Sequence, residues 1–236
     1  MSSKVWEVQL SAAVDQKVAR FILISSSMAG VLDEGGSATT SYGQSKSDAE
    51  QLLVSAVSSG SIEGSILRPV NVYGPGMQGG IASLISLISR GRMPPLPHLG
   101  TLISLIGVDD LCRAITMVIE CTYATGETYI LTDGQQYSVS DIESAIYRAL
   151  GKEVPHWNPP LVVLYAAVAG ARLLNKILNL SGIRLPALRS VNSRTYRNLV
   201  TKNLFDNSKI CKELIFKPTP TFYSSILGIV AVFKSL

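Results

Sequence analysis

The sequence has little charge, few cysteines and few histidines for its 236 residues. Only 16% of the residues are charged and 47% are hydrophobic, which excludes a disordered chain and predicts a folded protein with a sizeable core. Lysines and arginines are scattered, without a basic block or interleaved aromatic residues. Because the formal net charge is also only +4, we expect no nucleic-acid binding.

The few cysteines and histidines do not form a metal-ligand pattern. Cys112, Cys121 and Cys211 contain no C-x-x-C pair, and His98 and His156 lie far from them in sequence. We therefore expect no metal site. The first residues are too polar for a secretory signal, so an odd number of cysteines predicts reduced thiols and a cytoplasmic location.

Two apolar stretches, 161–180 and 226–233, raise the question of a membrane span. The first carries Arg172, Asn175 and Lys176 in its second half, where charges in a bilayer are costly. The second is shorter than the ~20 residues that a span needs. We expect no integral span. Buried or half-buried helices are the favoured interpretation, and contact with a membrane surface is the alternative.

Predicted strands and helices alternate over residues 20–150. Short apolar runs predict strands at 20–26, 65–73, 102–108 and 127–132. Helical periodicity and capping signals predict helices at 5–18, 45–58, 81–89, 110–120 and 138–150. We expect Asp109 to cap the fourth helix, and Ser138 or Ser140 the fifth. The alternation predicts an α/β fold with a partial doubly wound, Rossmann-like parallel sheet that binds ligands at the carboxyl ends of its strands.

Tyr42 and Lys46 stand four residues apart, just after a strand that ends in serines. Four residues are about one helical turn, so the phenol and the ammonium share a face. A lysine cation favours the phenolate, and a serine hydroxyl can hydrogen-bond the same substrate oxygen. Such a set moves a proton on or off a carbinol oxygen while a hydride moves elsewhere. On spacing alone, a surface tyrosine and lysine is the favoured interpretation, because Y-x-x-x-K is common by chance.

A set of segments in a fixed order changes that balance. They are ILISSS (22–27), YGQSK (42–46), LRPVNVYGPG (67–76), SLIGVDDLCRA (104–114), ETYILTDGQ (127–135) and FDNSKICKELIFKPT (205–219). Together they resemble the extended short-chain dehydrogenase/reductase family, in particular its nucleotide-sugar epimerase/dehydratase branch. The resemblance covers most of the chain.

The resemblance implies a role for each residue that it aligns with a family motif. Tyr42 would be the catalytic acid/base and would also contact the cofactor. Lys46 would bind the nicotinamide ribose and favour the phenolate, and Ser27 would polarise the substrate oxygen. Pro69 and Val70 would lie against the nicotinamide. The implied cofactor is NAD, with NADP as the open alternative.

The implied substrate is a nucleotide sugar, whose diphosphate would meet Asn71. The branch usually places an arginine just before the segment 104–109. This chain has Leu102 and Ile103 there, so we expect the nearby Arg90 and Arg92 to substitute.

The glycine-rich turn with which the family begins has no counterpart near residue 1. The one G-x-G-x-x-G, at 74–79, has no acidic residue ~20 positions later to hold a ribose, and the resemblance makes it a loop over the substrate. The favoured explanation is that the chain is truncated. The alternatives are that a partner completes the fold or that the protein is a degenerate relative of the family. We predict an incomplete NAD-binding core at 1–135, with a substrate loop at 75–101, and a substrate-binding helical region at 136–236.

The expected function is transient oxidation of a sugar hydroxyl by a nucleotide-sugar epimerase or dehydratase. One alternative is a steroid-type or other reductase of the same superfamily. Another is an inactive fragment or interaction module that uses an exposed sheet edge. The resemblance also predicts a homodimer through helices 5–18 and 45–58.

Overall fold

The computed structural model describes residues 3–31, 40–94, 96–163, 166, 169–170 and 203–234. The helices are α1 (Ser3–Asp15), α2 (Ser41–Ser58), α3 (Gly80–Ser89), α4 (Val108–Glu120), α5 (Val139–Ala149), α6 (Ser208–Glu213) and α7 (Phe222–Lys234). The strands are β1 (Arg20–Ile24), β2 (Glu63–Pro69), β3 (Asn71–Tyr73), β4 (Leu102–Ile103), β5 (Leu105–Gly107), β6 (Thr128–Leu131) and β7 (Tyr137–Ser138). Most of the stretch 161–180 lies outside the described residues, so its interpretations stay predictions. Within the described ranges, no helix is long and apolar enough to cross a bilayer.

The contacts of the chain divide it into two compact units. The first comprises residues 1–74, 104–135 and 205–222, and the second comprises 75–103, 136–204 and 223–236. The predicted assignment of residues 1–135 to the cofactor and 136–236 to the substrate stays a prediction.

The first unit is built on a three-stranded parallel sheet with the order β1-β2-β6. Arg20 lies opposite Glu63, and Ile66 opposite Thr128. Parallel neighbours need crossover connections, and α2 provides the one between β1 and β2. A second parallel pair, β3 with β5, belongs to the same unit. The predicted α/β fold with a partial doubly wound sheet is confirmed.

Adjacent residues of β2 pack into two separate hydrophobic clusters, because side chains along a strand alternate between the faces of the sheet. Ile66 packs in a cluster with Leu23 and Leu53, and α1 adds apolar side chains to it. Leu67 packs in the other cluster, with side chains from α4 and α6. Each fully buried leucine or isoleucine contributes roughly 1.5–3 kcal/mol. Helices therefore cover both faces of the sheet.

All four predicted strands prove shorter or divided, β6 by one residue at each end. β1 ends at Ile24 because Ser26 caps a 3₁₀ turn, Ser27–Gly30, by accepting a hydrogen bond from the Met28 N–H. Residues 65–73 form two strands because Pro69 has no N–H with which to continue the ladder, as its position in the sequence indicated. Residues 102–108 also divide, since β4 belongs to the second unit and β5 to the first.

The predicted cap at Asp109 is wrong. Helix α4 begins at Val108 with Gly107 in the cap position, so Asp109 is an exposed residue of the first turn. The neighbouring Asp110 is buried and accepts hydrogen bonds from the backbone N–H and the hydroxyl of Thr219. The carboxylate near this helix start therefore anchors a loop instead of capping the helix.

The second unit contains α3, α5 and the antiparallel pair β4–β7. Ser138 caps α5 as predicted, because its Oγ accepts a hydrogen bond from the Asp141 N–H at 3.0 Å. Lys152 Nζ donates to the Ile88 and Ser89 carbonyls at the end of α3. These side-chain bonds satisfy backbone groups that a helix leaves unpaired at its ends.

We expect Glu143→Gln to stabilise the second unit at neutral pH. Glu143 is buried in α5, and burial raises the pKa of its carboxyl. A folded-state pKa above the unfolded value means that stability is lost as pH rises through it, since the buried charge is then unfavourable. Removing the charge should raise the unfolding midpoint at pH 7 by ~2–4 °C, the equivalent of about 1 kcal/mol.

Thermal unfolding across pH tests this prediction. The gain should disappear below the ordinary glutamate pKa of 4.5, where both states are protonated. The exposed Glu153, changed to Gln, is the matched control in the same unit. A gain that is independent of pH, or equal to that of the control, would disprove the role of burial.

Candidate active site

The serine run lies directly beyond the carboxyl end of β1. Ser25, Ser26 and Ser27 are 4%, 9% and 5% exposed. Ser27 opens the 3₁₀ turn, and the Ser26 side chain caps it. The Ser25 hydroxyl is buried and has no hydrogen-bond partner among the described residues. The strand end thus presents hydroxyl groups where doubly wound sheets bind ligands.

The first turn of α2 packs against this 3₁₀ turn. Thr40 caps the helix by accepting a hydrogen bond from the Gly43 N–H at 2.9 Å. A Cβ atom on Gly43 would stand 2.6 Å from the Met28 carbonyl oxygen, so only glycine permits this approach. Tyr42 precedes Gly43 and is 54% exposed. The close backbone contact brings the segment that carries Tyr42 to the segment that begins with Ser27.

The Lys46 ammonium lies at the end of β1. Its Nζ donates a hydrogen bond to the Ile24 carbonyl at 2.8 Å and stands 4.8 Å from the centre of the Trp6 ring. Burial lowers the pKa of Lys46, and the Glu50 carboxylate partly opposes that effect. The strand-end serines, α2 and Lys46 therefore meet at one end of β1.

The residues predicted to contact cofactor and diphosphate lie at the end of β2 and directly after it. Pro69 ends the strand and is buried. Val70 is 7% exposed and belongs to the core beside Leu67. Asn71 is exposed and begins β3. Their roles stay predictions.

Arg90 and Arg92 lie in the second unit, directly after α3. Both are exposed. Arg90 holds the end of the helix through its backbone N–H, which donates to the Ser86 carbonyl. Their role towards a diphosphate stays a prediction.

Two features around Lys46 were not predicted from the sequence. One is the Trp6 ring, supplied by α1, and the other is the carboxylate of Glu50, which pairs with Arg68. A signal for Glu50 was present, because it lies three residues before the core residue Leu53 on a helix. A charged residue at such a position needs a partner, and Arg68 is that partner.

The donor set at the end of β1 fits the nicotinamide-ribose part of a dinucleotide. An ammonium has three N–H donors, and the Ile24 carbonyl uses one of those on Lys46. The remaining donors, the exposed Tyr42 phenol and the Ser25 hydroxyl, which has no partner within the described ranges, suit ribose hydroxyls and a substrate oxygen. This fit concerns the residues at the strand end alone.

The sequence is similar to those of known proteins. A UDP-glucose 4-epimerase from Vibrio cholerae is 33% identical over 165 residues, which cover 64% of this chain and 49% of that protein. The human short-chain dehydrogenase/reductase family 42E member 1 is 27% identical over 196 residues, 76% of this chain and 48% of that one. The chain therefore spans about half the length of the curated relatives that it matches.

A solved structure shows the same fold. UDP-glucose 4-epimerase from Thermotoga maritima, crystallised with UDP-glucose, superposes with a TM-score of 0.71 at 18% identity. The match covers 98% of this chain and 68% of that one. The family model for the NAD dependent epimerase/dehydratase family matches residues 7–131, more than half of the sequence, and includes the strand-end serines, Tyr42 and Lys46. This chain belongs to the NAD-dependent epimerase/dehydratase family.

Proposed function

We propose that this protein is a nucleotide-sugar epimerase or dehydratase in which Tyr42, Lys46 and Ser27 act together on a sugar hydroxyl. The observation that carries the proposal is the position of Lys46 Nζ, 2.8 Å from the last carbonyl of β1. At the same strand end, the first turn of α2 contacts the turn that Ser27 opens.

The chemistry follows from what each side chain can do. The Tyr42 phenolate takes the proton of the sugar hydroxyl, and its phenol returns a proton when the carbonyl is reduced. Lys46 holds a ribose hydroxyl by its remaining donors. The Ser27 hydroxyl donates to the reacting oxygen. NAD supplies, when bound, the hydride acceptor and donor. The sugar loses a proton and a hydride together and regains both, so no net oxidation results.

The family description supports NAD as the cofactor, and NADP is the alternative. Pro69 and Val70 are proposed to line the nicotinamide because Pro69 ends the neighbouring strand β2 and Val70 follows it. For the substrate, the Vibrio cholerae relative supports UDP-glucose. Asn71, Arg90 and Arg92 are proposed to bind its diphosphate, since paired phosphates attract amide and guanidinium donors.

A second candidate is a reductase of the same superfamily that acts on another alcohol, such as a hydroxysteroid. The human short-chain dehydrogenase/reductase relative supports it, because it aligns with 76% of this chain. Both candidates use the same three side chains. They differ in the substrate and in whether NAD is regenerated within one turnover.

A substrate panel distinguishes the candidates. The protein is incubated with NAD and UDP-glucose, UDP-N-acetylglucosamine or a hydroxysteroid, and the products are separated by chromatography. Conversion of a UDP-sugar without accumulation of NADH supports the epimerase, and loss of water from it supports the dehydratase. Stoichiometric NADH with a steroid would replace the proposal by the reductase. No turnover, together with no change in NADH fluorescence, would favour the inactive interaction module.

We also propose that the protein is a homodimer through α1 and α2. The two helices pack against each other, and Val5, Val8 and Val54 on them are 39%, 69% and 49% exposed. Light scattering should give twice the chain mass of 25.3 kDa, and Val8→Asp with Val54→Asp should halve it. The matched control is Val162→Asp, at a valine that is 73% exposed in the second unit. A wild-type monomer would refute the dimer.

A further inference from the structure

A partly buried ion pair joins α2 to the end of β2 beside Lys46. Arg68 Nε donates to Glu50 Oε1 at 2.9 Å, and Arg68 Nη2 donates to Glu50 Oε2 at 2.5 Å. The side chain of Glu50 is 7% exposed and that of Arg68 is 25% exposed. Two parallel bonds from a planar guanidinium fix orientation as well as distance. The pair therefore sets how α2 lies against the strand.

The same guanidinium touches the 3₁₀ turn Ser27–Gly30. A Cβ atom on Gly30 would stand 2.8 Å from Arg68 Nη1, so the turn approaches the guanidinium closely at a position without a side chain. Tyr42 and Lys46 lie on α2, and Ser27 opens the turn. The pair thus contacts both elements that carry the proposed catalytic groups.

The carboxylate of the pair also acts on Lys46 through its charge. Glu50 follows Lys46 by one helical turn, a spacing at which a carboxylate and an ammonium attract each other. Arg68 occupies both oxygens of that carboxylate, and Lys46 donates to the Ile24 carbonyl instead. The guanidinium therefore holds the carboxylate, while the ammonium bonds the end of β1.

We propose that Glu50 and Arg68 are positioning residues that hold the Lys46 ammonium and the start of α2 at the end of β1. The catalytic consequence rests on the proposed function, whereas the position of Lys46 is a property of this chain and has its own readout.

Tryptophan fluorescence measures that position without turnover. The chain has two tryptophans, so Trp157→Phe leaves Trp6, whose ring lies under the ammonium, as the only emitter. In the Trp157→Phe background, Lys46→Met shows how the Trp6 emission changes when the cation is lost. We expect Glu50→Gln and Arg68→Met to change the emission in the same direction. The control is Glu63→Gln, which removes the Arg20–Glu63 pair between β1 and β2 and should leave the emission unchanged.

Kinetics provide the second readout. We expect each single variant to lower kcat by about 10²-fold, the scale of a misplaced catalytic group, with KM nearly unchanged. The double variant should lose no more than either single variant, since the pair acts as a unit. Arg68→Lys keeps the positive charge but cannot make two parallel hydrogen bonds to Glu50. It replaces Arg68→Met in both experiments if that variant does not fold. If the variants at Glu50 and Arg68 fold and have the same Trp6 emission as Glu63→Gln, the proposal is overturned. Absence of turnover in the wild type would refute only the proposed function.

Discussion

Tyr42→Phe should lower kcat by about 10²–10⁴-fold, the usual contribution of a general acid–base group. The change removes the hydroxyl through which a proton reaches and leaves the sugar oxygen. The ring itself remains, and Tyr42 is 54% exposed, so the fold should not suffer. Binding of NAD should be retained, because Lys46 and the strand-end serines are untouched. The decisive measurement is therefore kcat alongside cofactor affinity in the same preparation.

Tyr123→Phe is the matched control for that experiment. Tyr123 is another exposed tyrosine of the first unit, and its hydroxyl donates to the Glu213 carbonyl at 3.4 Å. Its loss should leave kcat unchanged. Equal activities of Tyr42→Phe and the wild type would remove Tyr42 from the mechanism.

Asp110→Ala should cost about 3 kcal/mol of unfolding free energy, since it removes a buried carboxylate together with the hydrogen bonds that it accepts, one of them from a charged donor. Asp110 is fully buried and accepts hydrogen bonds from Arg113 and from Thr219. These bonds join α4 to the segment that follows α6 within the first unit. The unfolding midpoint should fall by ~6–12 °C for a chain of this length.

The neighbouring residue supplies the control for this prediction. Asp109 carries the same charge in the same helical turn but is exposed. Asp109→Ala should therefore change the unfolding free energy by about 1 kcal/mol or less. Similar losses for the two variants, measured by chemical denaturation, would show that helix-end charge matters here and that the hydrogen bonds of the buried carboxylate do not.

The alternation of strands and helices was predictable because the sequence itself shows short apolar runs for the strands and helical periodicity of apolar residues for the helices. Tyr42 and Lys46 were recognisable as a pair because one helical turn links them. The ends of the elements were less predictable. Ser26 stops β1 by a side-chain bond to its own backbone, and Gly107, without a capping side chain, takes the cap position expected for Asp109.

The surroundings of Lys46 depend on contacts between distant parts of the chain. Trp6 comes from a preceding helix and Arg68 from the next strand, so no local pattern connects either with Lys46. The contact between Gly43 and Met28 likewise depends on how α2 packs on the turn after β1. A single sequence records which residues are present but not which of them meet across the sheet.

Isotope retention tests the central claim most directly. UDP-glucose that carries deuterium at C4 of the sugar is incubated with the protein and NAD, and the product is examined by mass spectrometry and NMR. If a hydride and a proton leave the same carbinol and the hydride returns to its carbon, UDP-galactose should keep the deuterium at C4. Deuterium lost to solvent, or no product at all, would contradict transient oxidation at the Tyr42–Lys46–Ser27 site.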